Sequence, residues 1–282
     1  MDIIARIPEL RARLQAERNI AFVPTMGNLH EGHISLMKQA QERGDCVVAS
    51  IFVNPLQFGP NEDLANYPRT LAQDCERLVA AGVDVVFTPT EADLYPQTQT
   101  VIVKAPPIAN ELCGAHRPGH FDGVTTVVLK LFNIVQPQTA LFGKKDFQQL
   151  FILREMVKQL DLPITVIPGE TVREQDGLAM SSRNGYLKPE QRVEAPRLYG
   201  ALKQVVKAIQ DGRRDFSAIE EQTRQYLTMM GWIVDYVEIR SAETLGKAQA
   251  GDQNMVVLAA AKLGKTRLID NVEFCVEPGI RL

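Results

Sequence analysis

The sequence predicts an α/β protein, with a parallel sheet that carries helices on both faces and a smaller α+β domain after it. Over roughly the first 170 residues, short apolar runs alternate with amphipathic segments, which is typical of βαβ units. After residue 172 the pattern changes to helices followed by strands. Because 282 residues correspond to about two domains, we expect one domain over residues 1–172 and a smaller one over residues 173–282.

In the first domain, apolar β-branched runs predict strands and amphipathic spacing predicts helices. The predicted strands cover residues 19–24, 46–53, 84–89, 139–143 and 163–168. The predicted helices cover residues 33–44, 70–82 and 146–161, and a capping box of Thr70 and Gln73 opens the second. Residues 121–136 stay open between strand and helix, because their Thr and Val favour a strand while their length favours a helix.

The second domain has a different pattern. Residues 189–230 predict two helices with a break near Asp211 and Gly212, and residues 233–240, 254–260 and 266–274 predict a small antiparallel sheet. The segment AAAKLGKT at 259–266 satisfies a relaxed phosphate-loop pattern, but a true phosphate loop joins a strand to a helix. Because a strand pattern follows here, we expect Gly264 and Lys265 to form a hairpin turn.

Composition and charge exclude several classes of protein. Lys and Arg number 31 and Asp and Glu 34, so the net charge of −3 lacks the basic surface that nucleic-acid binding needs. The N-terminus mixes acids and bases without an apolar core, and the apolar run at 47–53 is too short for a membrane span. The four cysteines form no CxxC pair, which indicates reduced thiols. We therefore expect a soluble cytoplasmic protein without nucleic-acid or membrane partners.

The segment PTMGNLHEGH is the sharpest candidate for chemistry. It follows a predicted strand and opens a helix, where unpaired backbone N–H groups and the positive end of the helix dipole suit a phosphate. His30 and His33 lie three residues apart, on one face of the first helical turn, and their imidazoles can hydrogen-bond phosphate oxygens. Zinc binding is disfavoured, because HEGH lacks the HExxH spacing of metalloproteases.

A second candidate segment follows the next predicted strand. Asn54 and Gln57 carry uncharged amides, which both donate and accept hydrogen bonds and so suit a substrate with carboxylate and hydroxyl groups. Phe52 could line the apolar part of such a substrate. The segment is equally compatible with a loop that only turns the chain.

Two further segments carry cations or hydroxyl groups. In GKKD, Lys145 can meet a phosphate as a mobile point charge, although a solvated turn would have the same composition. In the polar connector after residue 172, Ser181, Ser182 and Arg183 form a compact anion-binding strip. A mobile strip at this position could close over a triphosphate.

The motif set of the pantothenate synthetase family resembles five ordered segments of this chain: PTMGNLHEGHISL, FVNPLQFGPNEDLANYPRT, RPGHFDGV, LFGKKDFQQL and GLAMSSRNGYL. That family belongs to the nucleotidylyltransferase superfamily with the HIGH motif. The resemblance covers nearly the whole chain. It implies a ligase that uses ATP and Mg²⁺ to condense (R)-pantoate with β-alanine, giving pantothenate, AMP and pyrophosphate through a pantoyl-adenylate. It also implies a homodimer, in which residues 1–172 of each chain form a Rossmann-like domain that binds ATP and pantoate and residues 173–282 form a smaller lid domain.

The resemblance implies a role for individual residues. His33 would donate a proton, His30 would lie beside it on the phosphates, and Gln57 would contact pantoate and β-alanine. Gln149 would contact pantoate, and Asp74 is a candidate for the metal ligand without an acidic cluster around it. The expected catalytic residues are His30, His33, Lys145, Ser181, Ser182 and Arg183. The residues expected to line the ATP site are these six together with Met26, Gly27, Asn28, Leu29, Glu31, Gly32, Gly143, Lys144, Asp146, Val172, Met180 and His120.

Two other classes of function stay open. A nucleotidylyltransferase in the strict sense would share the HxGH turn but act on a phosphate ester, for which we would expect more cations over residues 54–70 than Arg69 alone. A non-catalytic nucleotide-binding protein would bind ATP without pantoate-dependent pyrophosphate exchange. A fragment of an aminoacyl-tRNA synthetase is disfavoured by the slightly acidic charge.

Overall fold

The computed structural model describes residues 1–60 and 62–276. The chain divides into two compact units. The first unit comprises Met1–Lys144 and Gln148–Val172. The second comprises Lys145–Phe147 and the chain from Arg173 onward. The short segment Lys145–Phe147 therefore belongs with the second unit by its contacts, although it lies within the sequence of the first.

The first unit is built on six parallel strands within the described residues. Their bounds are β1 Asp2–Ile4, β2 Ile20–Thr25, β3 Cys46–Ile51, β4 Val85–Phe87, β5 Thr139–Gly143 and β6 Thr165–Gly169. The helices of this unit and its boundary are α1 Ile7–Leu14, α2 Glu31–Gln41, α3 Leu71–Ala80, α4 Glu91–Leu94, α5 Cys113–His116, α6 His120–Val135 and α7 Phe147–Gln159. Short 3-10 turns cover Pro55–Gln57, Pro107–Asn110 and Lys144–Asp146.

The sheet is covered by helices on both faces, which confirms the predicted fold class. Alternate residues of a strand point to opposite faces. Phe22 and Val48 pack with buried side chains of α1, α6 and α7. Their neighbours Val23 and Val47 pack on the other face with α2 and α3. The near-continuous apolar strands of this sequence are therefore explained by burial on both faces.

The strand order positions the functional segments. The sheet runs β1-β4-β3-β2-β5-β6, and all of its strand pairs are parallel. From β2 the chain adds β3 and β4 on one side, and then adds β5 and β6 on the other side. The order therefore reverses between β2 and β5, and ligands of such sheets bind beyond the carboxyl ends of strands at that point. The histidine turn follows β2 and the GKKD segment follows β5.

The second unit packs helices against an antiparallel sheet. Its elements are α8 Pro189–Glu194, α9 Arg197–Gln210, α10 Phe216–Met229, β7 Ile233–Ser241, β8 Asn254–Leu263 and β9 Thr266–Cys275, with a 3-10 turn at Ser182–Tyr186. Its core joins Leu202 of α9, Ile219 of α10 and Val257 of β8 with the fully buried Trp232. In the register of β8 and β9, Leu263 faces Thr266, which confirms the hairpin turn at Gly264 and Lys265 and excludes a phosphate loop there.

Several local predictions were incomplete or wrong. The open segment 121–136 is helical, as its length favoured. The hydroxyl of Thr126 donates to the carbonyl oxygen of Asp122 in the preceding helical turn, and that of Thr125 lies 2.7 Å from the carbonyl oxygen of Val103 outside α6. Residues 189–230 form three helices rather than two, because Pro196 interrupts them. The capping box at Thr70 is wrong, because its hydroxyl makes no cap and donates instead to Asp74 Oδ2 at 3.1 Å.

The N-terminal strand and helix were not predicted. β1 spans three residues at the edge of the sheet, next to β4, and α1 covers eight residues. Elements of this length carry too few residues to show a period. Over residues 1–60 and 62–276, each helix is too short or too polar to cross a membrane.

Gly123 allows α6 to approach the turn at Pro55–Gln57 closely. A Cβ atom added at Gly123 would lie 2.2 Å from the carbonyl oxygen of Leu56 and 2.8 Å from Cα of Gln57. Because both are backbone atoms, no side-chain rotation relieves the overlap. We therefore expect Gly123→Ala to lower the free energy of unfolding by about 2 kcal/mol, as measured by urea denaturation followed by circular dichroism.

Gly200→Ala is the matched control. Gly200 is also the fourth residue of its helix, and a Cβ atom there would meet no atom within 4 Å. Helix propensity then dominates, so we expect this variant to gain up to about 1 kcal/mol. Equal stability of Gly123→Ala and the wild type would show that the contact at the turn is looser than described.

Candidate active site

The turn between β2 and α2 begins with two residues in the left-handed region. Gly27 has a φ of +83° and Asn28 a φ of +49°. A Cβ atom at Gly27 would lie 3.1 Å from both Asp74 Oδ2 and Ile51 Cγ2, so both the backbone angle and the space favour glycine. Asn tolerates the left-handed region better than other residues with a side chain. This sharp reversal brings the chain directly from the strand end to the helix start.

His30 and His33 cap α2 reciprocally. The Nδ1 atom of His30 accepts a hydrogen bond from the backbone N–H of Gly32 at 3.2 Å. The Nδ1 atom of His33 accepts one from the backbone N–H of His30, also at 3.2 Å. The two ring centroids lie 4.1 Å apart. Because Nδ1 accepts in both rings, the proton of each neutral imidazole lies on Nε2.

Other backbone N–H groups of the turn are also bonded within the protein. The N–H of Gly27 donates to the hydroxyl oxygen of Thr25 at 3.2 Å. The N–H groups of Asn28 and Leu29 donate to the two carboxylate oxygens of Asp74, at 2.9 and 2.8 Å. The expectation that the backbone N–H groups of this turn are unpaired is therefore wrong for these residues. Their donors hold the turn together.

Asp74 does not fit the role of a magnesium ligand. It is only 2% exposed, and its carboxylate already accepts hydrogen bonds from Asn28, Leu29 and Thr70. A cation at these oxygens would compete with the N–H donors aimed at them. In the part of the chain that the structure describes, no group of three or more His, Cys, Asp or Glu residues is placed to hold a metal ion.

Gln57 is buried and belongs to a network of hydrogen-bonded amide side chains that contacts Met26. The Nδ2 atom of Asn54 donates to Gln57 Oε1 at 3.1 Å and to the carbonyl oxygen of Gly123 at 3.2 Å. The Nε2 atom of Gln57 lies 3.2 Å from the sulfur of Met26. The hydroxyl of Tyr95 donates to Asn54 Oδ1 at 2.8 Å. Asn54 is thus bonded to the protein on both sides of its amide and supports Gln57.

The aromatic residues beside this network are part of the fold. Phe52 is buried, belongs to the main core of the first unit and contacts the ring of Tyr95 at a centroid distance of 5.9 Å. Burial raises the pKa of Tyr95 to about 12, which keeps its hydroxyl protonated as a donor at neutral pH. Phe52 is therefore a core residue of the fold, and it adjoins the Gln57 network through the ring of Tyr95.

The motif RPGH brings a charged cluster to the same turn. Arg117 forms a two-pronged ion pair with Glu62, with N···O distances of 2.7 and 2.5 Å. Its Nη1 lies 2.9 Å from Nε2 of His120. The Nδ1 atom of His120 lies 2.8 Å from the carbonyl oxygen of Gln57. Because a guanidinium donates and a carbonyl accepts, the proton of His120 lies on Nδ1, opposite to the arrangement in His30 and His33.

The segment after β5 belongs to both units. Gly143 ends β5, and Lys144 forms an ion pair with Glu170 at 2.6 Å in the first unit. Lys145 and Asp146 fall in the second unit, with 3.9 Å between their charged atoms.

Two adjacent glutamines of α7 differ in burial. Gln149 is half-buried, whereas Gln148 is buried and bonded to Cys113 N–H at 3.0 Å and to the carbonyl oxygens of Ile108 and Glu111 at 2.9 Å. Gln148 therefore anchors the segment 108–113 to α7.

The strip Met180–Arg183 lies in the second unit. Ser181 Oγ accepts a hydrogen bond from the backbone N–H of Arg183 at 3.3 Å and caps the 3-10 turn that follows. The connector before it begins after Val172 with Arg173, which pairs with Asp270 through two hydrogen bonds of 2.7 and 2.8 Å. Arg173 also stacks on the ring of Tyr199 at 3.6 Å. The first residue of the connector is thus fixed by an ion pair and by a contact with an aromatic ring.

Some residues of these clusters were missed by sequence reasoning. Arg117 could have been identified from the sequence, because it lies three residues before His120 in the motif RPGH, which was already singled out. Tyr95 carried no signal, since it lies 38 positions after Gln57 in an ordinary turn-rich segment. The support that Asp74 gives to the turn spans 46 residues of sequence and became visible only with the contacts.

Comparisons with known proteins agree with the motifs. The family model described as pantoate-beta-alanine ligase matches residues 2–273. A pantothenate synthetase of Methylobacillus flagellatus is 65% identical over 276 residues, which cover 98% of this chain and 99% of that protein. One of Thiobacillus denitrificans is 56% identical over 281 residues, or 99% of each chain.

Solved structures give the same result. The pantothenate synthetase of Thermus thermophilus has a TM-score of 0.92 at 43% identity, over 96% of this chain and 99% of that one. The pantoate-beta-alanine ligase of Francisella tularensis, complexed with beta-gamma ATP and beta-alanine, has a TM-score of 0.83 at 37% identity, over 99% of both chains. The chain described here belongs to the pantoate-beta-alanine ligase family.

Proposed function

We propose that this chain uses ATP to condense pantoate with β-alanine, through a pantoyl-adenylate. The observation that carries the proposal is the capped histidine turn, which lies at the switch point of the sheet in a chain of this family. The Francisella relative, complexed with beta-gamma ATP and beta-alanine, supports the choice of these two substrates.

In the first step, a carboxylate oxygen of pantoate attacks the α-phosphorus of ATP. An O–P bond forms, the bond to the bridging oxygen breaks, and pyrophosphate leaves with the electron pair. The carboxylate is already a nucleophile at neutral pH, so the barrier lies in bringing two anions together and in the charge on the transferring group. We assign the stabilisation of that charge to His30, His33, Lys145 and the strip Ser181–Arg183.

In the second step, the amine of β-alanine attacks the acyl carbon of the adenylate. A C–N bond forms, the C–O bond to AMP breaks, and the amine loses a proton. Gln57 is suited to bind pantoate, because an amide offers two donors and two acceptors and Asn54 and Met26 engage one of each. No residue is assigned as the base for the amine.

The remaining site assignments stay predictions. They are contact of ATP with residues 26–33, 143–146, Val172, Met180 and His120, and contact of pantoate with Gln149. We assign magnesium only the role of counter-ion of the triphosphate, because the carboxylate of Asp74 already accepts hydrogen bonds from the histidine turn. The homodimer and the cytoplasmic location also stay predictions, which light scattering and cell fractionation would test.

The activity is tested by measuring AMP with each substrate omitted in turn. We expect AMP release to require pantoate, β-alanine and ATP together. With β-alanine omitted, pantoate alone should still exchange labelled pyrophosphate into ATP, because the first step is reversible. AMP release without β-alanine, or no exchange with pantoate, would contradict the proposed reaction.

The role of His33 is tested with two variants. His33→Ala removes the whole ring. His33→Asn keeps an acceptor for the N–H of His30 but removes the distal Nε2–H. If that proton stabilises the transferring group, both variants should slow adenylate formation about a hundredfold, as measured by single-turnover kinetics.

The exposed His116 provides the control, and His116→Ala should keep the wild-type rate. A wild-type rate in His33→Asn would reduce His33 to a helix cap. A defect confined to the attack by β-alanine on preformed adenylate would place His33 in the second step instead.

The tautomers of three histidines are a separate prediction. The hydrogen bonds place the proton on Nε2 in His30 and His33 and on Nδ1 in His120. Long-range ¹⁵N–¹H correlation spectra at neutral pH distinguish the two forms. An Nδ1–H form of His33 in the absence of substrates would show that its ring does not cap the helix as described.

A further inference from the structure

Asp74 is a buried carboxylate that reaches from α3 to the histidine turn. It is 2% exposed, and it lies 46 positions beyond Asn28 in the sequence. Its Oδ2 accepts from the N–H of Asn28 at 2.9 Å and its Oδ1 accepts from the N–H of Leu29 at 2.8 Å. The Thr70 hydroxyl donates to Oδ2 at 3.1 Å. The carboxylate is thus held by three donors.

The backbone of the turn is shaped around this carboxylate. In this turn the neighbouring N–H groups of Asn28 and Leu29 converge on one carboxylate, and N–H groups that converge in this way often bind an anion. Here Asp74 is that anion. The left-handed conformation of Asn28 is intrinsically unfavourable, so a partner that holds its N–H group stabilises the turn.

A second contact joins α3 to the same segment. One turn after Asp74, the guanidinium of Arg77 lies 3.6 Å from the carboxylate of Glu31, the first residue of α2. Both side chains are at least half exposed, so this pair contributes little. The buried carboxylate is therefore the stronger of these two polar links between α3 and the histidine turn.

We propose that Asp74 is a positioning residue, which holds the turn Gly27–Leu29 so that His30 and His33 meet the triphosphate of ATP. This inference rests on the proposed function, because it takes the histidine turn as the ATP site. It assigns to Asp74 a role through the backbone and no direct contact with metal or nucleotide. A metal ligand and a positioning residue differ in their effect on ATP that carries no metal.

Asp74→Asn tests the proposal, because the amide keeps the shape and one acceptor but turns a donor toward one of the two N–H groups. Hydrogen exchange measured by NMR should accelerate about tenfold or more at the amides of Asn28 and Leu29. Binding of ATP, measured by calorimetry on the full chain, should weaken about tenfold both in EDTA and with MgCl₂. A magnesium ligand would leave the binding in EDTA unchanged.

Asp84→Asn is the matched control. Asp84 also accepts a backbone N–H through its carboxylate, from Val47 at 2.8 Å, but it lies just before β4 at the opposite end of the strands. We expect this variant to change exchange near Val47 and to leave ATP binding at the wild-type value. A loss of ATP binding equal to that of Asp74→Asn would show a general effect of losing a carboxylate and overturn the proposal.

Thr70→Val serves as the second variant if Asp74→Asn does not fold. It removes the third donor to the carboxylate and should weaken ATP binding in the same two conditions, by a smaller factor. Unchanged exchange at Asn28 and Leu29, unchanged ATP binding, or a loss seen only with MgCl₂ would each overturn the proposal. If the wild-type chain itself bound no ATP, the proposed function would fail, whereas the exchange data would still decide whether Asp74 holds the turn.

Discussion

The backbone between β2 and α2 passes through a partly buried region, where each N–H group needs a partner. Gly27 and Leu29 are buried, and leaving their donors unsatisfied would cost free energy comparable to a lost hydrogen bond. The chain meets this requirement with side chains: a threonine hydroxyl, the Asp74 carboxylate and the two imidazoles. The backbone dipoles that other folds aim at a phosphate are here used to fix the side chains that we assign to the triphosphate.

The same principle shapes the surroundings of Gln57, whose side-chain partners Asn54 and Met26 are neutral. Asn54 donates to the Gln57 amide and is itself held by the hydroxyl of Tyr95, while the Arg117 guanidinium is paired with Glu62. This arrangement suits the proposed first step. A carboxylate bound by an arginine is stabilised in its ground state, which makes it a weaker nucleophile, whereas an amide orients it at less cost to its reactivity. Uncharged donors can therefore bind pantoate without opposing its attack on phosphorus.

The sequence was sufficient for the fold wherever a pattern extended over several residues. The buried strands β2, β3 and β5 could be predicted from apolar β-branched runs and the helices α2, α3 and α7 from amphipathic spacing, and the hairpin at Gly264 followed from the strand pattern after it. The pattern failed where an element was three residues long, as in β1, or where β-branched residues hid a helix, as in α6. The histidine turn and the amide segment were located correctly at strand ends. Their long-range contacts could not be predicted, since Asn28 is bonded to Asp74, 46 positions away, and Gln57 contacts Met26, 31 positions away, and no local spacing identifies such partners.

Asp74 illustrates why a polar residue near a motif is ambiguous on sequence alone. A carboxylate can either bind a cation or accept two backbone N–H groups, so residue type cannot separate the two roles. Geometry can, because a ligand keeps lone pairs directed at the metal, whereas a support has them directed at donors of its own chain. At Asp74 both oxygens point to the histidine turn and solvent is excluded from them. A residue such as Asp74 also links the stability of the fold to the proposed function. The group that holds the histidine turn in place also determines where the imidazoles meet the nucleotide.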